Sequence, residues 1–204
     1  MLDVKSILTG SIGNNCYLIT DRESGKSALV DCTDASQRML DFIGNADLEY
    51  ILLTHGHFDH IGGVKEIQQR YGAKVCISKT DAPMLTSARL SLAAFCGEVQ
   101  QDAEADILLE EGDCIMLGNT KIDVIATPGH TKGSLCFIAD DCIFTGDTLF
   151  FCSCGRTDFP GGDDREMLQS LHRLAQLDGK LKVYPGHERV STIAFEKQNN
   201  PYMR

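Results

Sequence analysis

The sequence predicts an α/β fold in which two β-sheets pack face to face and helices cover their outer surfaces. Short apolar, strand-like runs occur in both halves of the chain, and segments with helical periodicity are inserted between them in both halves. No repeat, low-complexity tract or linker divides the chain. Its 204 residues suffice for one good hydrophobic core but are few for two. We therefore expect one domain spanning residues 1–204, built from layers of sheet and helix.

Strands and helices alternate in the first half of the chain. Strands are predicted at residues 4–8, 16–20, 28–31, 50–53 and 74–77. A glycine-containing turn at residues 10–14 joins the first two strands as a pair. Helical periodicity covers residues 35–43, after a cap at Thr33 or Asp34, and residues 64–71, where Gly72 is a plausible stop.

The second half of the chain is richer in β-structure. Strands are predicted at residues 107–109, 114–117, 121–126, 134–138, 142–145 and 182–184. An amphipathic helix is predicted at residues 166–177, and a last helix at residues 190–197. The first of these helices places Leu168, Leu171, Leu174 and Ala175 on one side. Residues 79–103 are harder to assign: residues 84–85 and 90–95 could form short helices, and this segment is the best candidate for a flexible wall over a site.

Composition and charge limit the classes of function. The chain carries 19 lysines and arginines against 29 aspartates and glutamates, a net charge of -10, so no basic field is available for nucleic acid or an anionic membrane. No signal-peptide pattern or run of ~18 apolar residues occurs. The nine cysteines read as reduced thiols, which predicts a cytoplasmic protein. Cys152 and Cys154 are interpreted as ordinary loop thiols, one packing inward, rather than as a redox or ligand pair.

Five of the six histidines fall into one metal-site pattern. The run His55-Gly56-His57-Phe58-Asp59-His60 follows a predicted strand directly, and three further polar residues each follow a later strand: His130, Asp147 and His187. Loops at strand ends commonly converge on a site, and neutral imidazole is a good ligand for zinc or iron. The sixth histidine, His172, lies on an amphipathic helix and is assigned no role.

The simplest distribution of these side chains gives two metal ions. One ion takes His55, His57 and His130; the other takes Asp59, His60 and His187; and Asp147 bridges them. Two such cations lower the pKa of a shared water toward ~7 and clamp a developing oxyanion, which predicts hydrolysis. Asp59 could also orient the attacking hydroxide. Zinc is the expected metal, and the ligand set also accepts iron or manganese.

Asp31 ends the third predicted strand and has two interpretations. It could hydrogen-bond the outer nitrogen of a ligand histidine, a common arrangement at metal sites. It could equally form a simple turn or helix cap, and the sequence leaves both open.

With Asp31, the seven ligand residues resemble the metallo-β-lactamase superfamily. The resemblance implies a four-layer αββα sandwich with a dinuclear site at one edge of the two sheets. Within the superfamily, the chain is most similar to the glyoxalase II-like hydroxyacylglutathione hydrolases, through residues 127–134, 145–150, 155–163 and 184–187. The run Gly155-Arg156-Thr157-Asp158-Phe159 is typical of the short bacterial branch. The commonest β-lactamases carry cysteine where Asp147 stands and are exported, which disfavours that activity.

The resemblance implies hydrolysis of a small-molecule acyl thioester such as S-lactoylglutathione. A thiolate is a stable leaving group, so no dedicated general acid is needed. An alternative from the same superfamily is a persulfide dioxygenase that holds one iron through the equivalents of His55, His130 and Asp147. A non-catalytic metal protein is disfavoured because no ligand is missing. The acyl group, the thiol and the oligomeric state stay open.

Arg156 appears where the long glyoxalase II enzymes place a glutathione-binding lysine. Its guanidinium could fork onto a substrate carboxylate. It could instead brace its own loop through Asp158 or Asp163. Both roles stay open from the sequence.

Overall fold

The computed structural model describes residues 1–204 and contains two six-stranded β-sheets. The first sheet runs in chain order: β1 (Leu2–Thr9), β2 (Asn14–Asp21), β3 (Lys26–Val30), β4 (Asp47–Leu52), β5 (Lys74–Ser78) and β6 (Ile107–Leu109). Strands β1 to β3 pair antiparallel, whereas β3 to β6 pair parallel. The parallel strands therefore send their carboxyl ends, and the loops that follow, toward the same edge of the sheet.

The second sheet is formed by later strands. They are β7 (Cys114–Leu117), β8 (Thr120–Ala126), β9 (Leu135–Ala139), β10 (Cys142–Gly146), β13 (Lys182–Pro185) and β14 (Ser191–Thr192), with β7 and β14 at the edges. A separate two-stranded hairpin joins β11 (Leu149–Phe150) to β12 (Ser153–Cys154). Strands β10 and β13 pair parallel, so the residues after them also emerge at one edge.

Helices cover the outer face of each sheet. The α-helices are α1 (Gln37–Ile43), α2 (Phe58–Ile61), α3 (Val64–Tyr71), α4 (Ala93–Cys96), α5 (Asp164–Leu174) and α6 (Ile193–Asn199). Two 3₁₀ helices are added at Ala82–Thr86 and Pro201–Met203. Helices α1 and α3 pack on the first sheet, and α5 and α6 pack on the second. The four-layer αββα arrangement that the sequence predicts is confirmed. No helix has the length and apolar character needed to cross a bilayer.

Three buried apolar clusters separate the four layers, and strand alternation explains them. In β2, Cys16 and Leu18 face the helices on the outside, whereas Tyr17 and Ile19 face the other sheet. Successive side chains of a strand point to opposite faces, so a strand covered on both faces is apolar at almost every position. The middle cluster is the core between the two sheets, and Phe137 lies fully buried within it.

Polar contacts fasten the two sheets together at the same edge. The Tyr17 hydroxyl donates to the carbonyl oxygen of Pro185 at 2.6 Å, and the backbone N–H of Asn15 donates to that of Gly186 at 2.7 Å. From the other side, the N–H of Leu135 donates to the Thr54 carbonyl at 2.7 Å. Strand ends from both sheets are thereby held in fixed positions around one space.

The predicted strands are confirmed, but several helix details are wrong. Helix α1 is capped by Ser36, whose hydroxyl accepts from the Met39 N–H, and not by Thr33 or Asp34. Helix α5 ends at Leu174, and Leu168 is exposed because the buried face runs through Met167, Leu171 and Leu174. The last helix starts at Ile193, since the preceding residues form the short strand β14.

The core between the sheets gives a stability prediction. Replacing Phe137 by alanine removes a fully buried ring, and we expect a loss of about 3–5 kcal/mol in the free energy of unfolding. Urea denaturation followed by circular dichroism measures it. Phe95→Ala is the matched control, because that ring is 72% exposed, and its effect should stay within about 0.5 kcal/mol. Equal effects for the two variants would contradict the layer assignment.

Candidate metal centre

The predicted ligand side chains meet where the two sheets are fastened. Strand β4 ends at Leu52, and the chain then turns through His55 and His57 into the short helix α2, which carries Asp59 and His60. The remaining three arrive from the other sheet: His130 after β8, Asp147 after β10 and His187 after β13. All are buried except His187, which is half-buried at the mouth. Residues more than a hundred positions apart thus share one space.

The side chains form overlapping groups of three in which the possible ligand atoms lie within 4.8 Å of one another. The groups are His55, His57 and His130; Asp59, His60 and His187; and His55, His60 and Asp147. The first two groups have the same members as the two ligand sets predicted from sequence. Asp147 lies between them: Oδ1 is 3.3 Å from His60 Nε2, and Oδ2 is 3.5 Å from Nε2 of both His130 and His187.

In three of the five imidazoles, those of His60, His130 and His187, the outward nitrogen atom already has a partner. Nδ1 of His130 donates to the carbonyl oxygen of Arg156 at 2.7 Å, and Nδ1 of His187 donates to that of Gly13 at 3.2 Å. Nδ1 of His60 lies 2.8 Å from Oδ2 of Asp31. A proton held at Nδ1 leaves the lone pair of a neutral ring on Nε2, and these Nε2 atoms face the cluster. The rings are therefore held in the tautomer and orientation that metal coordination requires.

Asp31 combines both roles that the sequence left open. Its carboxylate is 2% exposed, and it accepts from the backbone N–H of Thr54 at 2.8 Å in addition to contacting His60. Its backbone has φ of 57°, a left-handed conformation that is uncommon outside glycine, so it also forms the turn at the end of β3. One residue thus fixes the ends of β3 and β4 and the ring of His60.

Unpaired buried atoms test whether these side chains fit a metal. Nε2 of His55 and Oδ1 of Asp147 are buried and have no hydrogen-bond partner. An unsatisfied polar atom costs about 1–3 kcal/mol in a protein interior, and such atoms are uncommon. A cation among these donors would satisfy them, since imidazole nitrogen and carboxylate oxygen are the donors that zinc and iron take. The residues therefore fit a metal ion.

Charge is distributed unequally over the cluster. Burial and the neighbouring imidazoles lower the pKa of His55 well below its usual value and that of His57 to about 3, so both rings are neutral. Burial works against charge on His60 too, but Asp147, Asp59 and Asp31 outweigh it and raise its pKa. For Asp59, burial is outweighed by His60, and its pKa is lowered. The His60 side of the cluster therefore stabilises positive charge, as a cation site must.

Two glycines are required next to Asp147 for reasons of space. A Cβ at Gly155 would collide with the carbonyl oxygen of Asp147, and one at Gly186 would collide with its carboxylate. In the sequence these glycines are only parts of longer motifs. The structure gives their physical reason, which is the close approach of their backbone to Asp147.

Asn14 and Asp81 belong to the site but were missed from sequence. Asn14 is fully buried, and its Nδ2 donates to Oδ2 of Asp59 at 2.7 Å. Asp81 is also fully buried and accepts from the Gly56 N–H at 3.2 Å and the Thr131 hydroxyl at 2.7 Å, so it ties two ligand loops together. An amide at the end of a glycine turn was a weak signal for Asn14. Nothing in the local sequence distinguishes Asp81.

The C-terminal helix fixes the loop after Asp147. Oε2 of the buried Glu196 accepts from the Cys152 N–H at 2.9 Å, and the Asn200 amide donates to the Ser153 carbonyl at 2.9 Å. Cys152 and Cys154 are free thiols, and Cys154 packs against the cluster under α5 and α6. This agrees with the interpretation of the pair as ordinary loop thiols.

A cavity of about 710 Å³ opens onto the cluster. Its floor contains His57, Asp59, His130, Asp147 and His187. Leu92, Phe95 and Cys96, from the segment that the sequence marked as a wall, form one side. Whether this segment closes over a substrate stays a prediction.

Arg156 lies at the rim of the cavity and is 57% exposed. Its Nε and one terminal nitrogen each donate to Asp158 at 2.7 Å, and its guanidinium stacks on Phe159 at 4.0 Å. This is the bracing arrangement with Asp158 that the sequence offered as an alternative. Contact with a substrate carboxylate stays a prediction, and Asp158 would compete with it.

Comparison with known proteins agrees with this geometry. Residues 10–187 match the family model described as the metallo-beta-lactamase superfamily. An uncharacterized protein of Mycobacterium leprae is 36% identical over 211 residues, covering 95% of each chain. The hydroxyacylglutathione hydrolase GloC of Haemophilus influenzae is 31% identical over 209 residues, covering 99% of this chain and 98% of GloC.

Solved structures of similar proteins share the fold over nearly the whole chain. The B3 metallo-beta-lactamase BLEG-1 superposes with a TM-score of 0.93 at 29% identity, covering 100% of this chain and 99% of that one. The di-iron-bound form of TTHA1623 superposes with a TM-score of 0.86 at 31% identity, covering 98% of this chain and 100% of that one. ETHE1 from Myxococcus xanthus superposes with a TM-score of 0.82 at 30% identity, covering 98% of this chain and 83% of that one.

The first ligand group gives a prediction about metal content. His57→Ala removes one imidazole of three, and we expect the bound metal to fall from two ions per chain to about one, because the remaining two nitrogens hold an ion poorly. Inductively coupled plasma mass spectrometry measures it, and circular dichroism should show an intact fold. His172→Ala is the control, since that exposed ring lies outside the cluster. Two ions retained by His57→Ala would refute the assignment.

Asp31 gives a second prediction. Asp31→Asn keeps the size of the side chain but weakens the acceptor that orients His60, and we expect metal affinity at that group to drop about 10–100-fold. Competition with a chromophoric chelator measures it. Asp41→Asn serves as the control, because Asp41 lies exposed on α1. Unchanged affinity would mean that Asp31 serves only the turn.

Proposed function

The chain belongs to the metallo-β-lactamase superfamily, and from that premise we propose that it is a metal-dependent hydrolase of acyl thioesters. One observation carries the proposal: two ligand groups, with Asp147 between them, meet at the floor of an open cavity. The likeness to the hydroxyacylglutathione hydrolase GloC over nearly the full length of both chains supports the thioester as the bond that is cleaved.

The two ligand groups would hold two divalent ions. Bound there, the ions would supply an activated water and polarise the substrate carbonyl. Zinc is our proposal for the metal, and iron is the alternative that the di-iron TTHA1623 structure supports. The side chains of both groups suit either ion, because imidazole and carboxylate bind both.

The residues of the chain have their own parts in the reaction. Asn14 donates to Oδ2 of Asp59, which fixes the carboxylate so that Asp59 can accept a hydrogen bond from the attacking water. Attack of the water forms a carbon–oxygen bond and releases a proton to solvent; the carbon–sulfur bond then breaks, and its electron pair leaves with sulfur. Because a thiolate is a much weaker base than an alkoxide, the cavity does not need a proton donor at the leaving group.

A persulfide dioxygenase is the second candidate, and the likeness to ETHE1 favours it. That reaction would use a single iron, held by the equivalents of His55, His130 and Asp147 as the family resemblance implies. The two candidates differ in what they consume, since one needs only water and the other needs molecular oxygen.

We propose a small-molecule substrate and a cytoplasmic location. The cavity is of the size that ordinary small-molecule sites have. All nine cysteines are free thiols, which suits a reducing compartment.

Steady-state hydrolysis of S-lactoylglutathione by the zinc-loaded protein tests the function. A thioesterase should reach kcat/KM above ~10⁴ M⁻¹s⁻¹, in the normal range for enzymes, and His57→Ala should lose nearly all of it. Oxygen uptake by the iron-loaded protein with glutathione persulfide, and hydrolysis of the β-lactam nitrocefin, are measured in parallel. Turnover in either parallel assay, without cleavage of any thioester, would overturn the proposal.

A further inference from the structure

We propose that the preferred substrate is a thioester with a bulky apolar acyl group and an uncharged thiol portion, rather than an anionic glutathione conjugate. This inference rests on the hydrolase function proposed above and narrows it. Three features of the cavity support it: the side chains of its walls, their distance from the ligand residues, and the charges at its rim.

Apolar side chains form most of the walls above the metal ligands. They are Ile12, Phe58, Leu92, Phe95, Phe150, Phe159 and Pro160. Ile12 is 57% exposed and Phe95 is 72% exposed, so each leaves a large apolar side chain in contact with water. Removing apolar surface from water stabilises a complex by roughly 25 cal/mol per Å². An apolar acyl group between these side chains would cover surface that nothing in the chain itself covers.

The apolar surface extends down to the ligand residues. The ring of Phe159 meets that of His57 edge-on at 6.0 Å between centroids, and Phe150 meets His187 in the same way at 5.7 Å. Phe150 is in turn held by the β11–β12 hairpin that α6 fixes. The groups nearest a carbonyl at the floor would therefore touch aromatic carbon, which suits an acyl substituent without polar atoms.

The charges at the rim disfavour an anionic thiol. Arg156 is the single lysine or arginine that lines the cavity, and its Nε and one terminal nitrogen donate to Asp158, which already compensates its charge. Asp59 and Asp147 belong to the ligand groups, where bound metal ions would offset their charge, so Glu188 is the one other acidic residue of the lining. Glutathione carries two carboxylates at neutral pH. A glutathione carboxylate at this rim would compete with Asp158 for Arg156 or lie near Glu188, whereas an uncharged thiol has neither cost.

Four thioesters test the preference for the acyl group and the preference for the thiol portion separately. Lactoyl and phenylacetyl groups are each attached to glutathione and to N-acetylcysteamine, and kcat/KM is measured with the zinc-loaded protein. We expect the phenylacetyl N-acetylcysteamine ester to exceed S-lactoylglutathione by about tenfold or more, the size of preference that an apolar pocket can supply. A smaller preference, or the reverse order, overturns the inference while leaving thioester hydrolysis in place. Hydrolysis of none of the four removes the proposed function itself.

A surface variant tests the wall directly. Phe95→Ser should lower the ratio of phenylacetyl to lactoyl kcat/KM about fivefold, mainly through KM, because it removes apolar contact without touching a metal ligand. Phe95 is exposed, so the fold is not at risk. Leu108→Ser is the control, since Leu108 is also exposed but lies on β6 outside the cavity, and it should keep the ratio of the parent. A ratio unchanged in Phe95→Ser overturns the role of the wall.

Discussion

The buried carboxylate of Asp31 is the interaction on which the metal centre depends. It accepts hydrogen bonds from Thr54 at the end of β4 and lies against the outer nitrogen of His60, while its own left-handed backbone ends β3. A buried carboxylate is tolerated only where donors surround it, and here the Thr54 N–H, the Thr54 hydroxyl and the His60 ring together fix its position. The run of ligand residues after β4 therefore starts from a fixed backbone position at Thr54, and the contact with Asp31 sets the orientation of the His60 ring.

The clustering of the predicted ligand side chains was predictable from sequence, because each follows a strand in a recognisable spacing. The layers were predictable because apolar runs mark strands covered on both faces. The parts that failed depend on distant neighbours. The roles of Asn14 and Asp81 depend on hydrogen bonds to loops that are distant in sequence. Leu168 was misplaced because a helix exposes or buries an apolar residue according to the sheet beneath it. The hairpin after Asp147 was missed because α6, and not local propensity, fixes it.

The polar residues at the floor of the cavity and the apolar residues of its walls have different roles. Charged groups interact more strongly where water is excluded, and a substrate packed on the aromatic rings beside His57 and His187 would exclude it from the floor of the cavity. The same rings leave few polar contacts for a substrate, so the chain places chemistry and selectivity on different residues.

The contact between the first hairpin and the end of β13 in the second sheet has a consequence for folding. Tyr17 meets Pro185, and Asn15 meets Gly186, across nearly the whole chain length. Long-range contacts of this kind slow folding, because closing so long a loop costs entropy before the contact is gained. The ligand set is complete only in the fully folded chain, so metal binding and global stability are linked. A core substitution far from any histidine would then lower apparent metal affinity, and metal supply would protect the chain against unfolding.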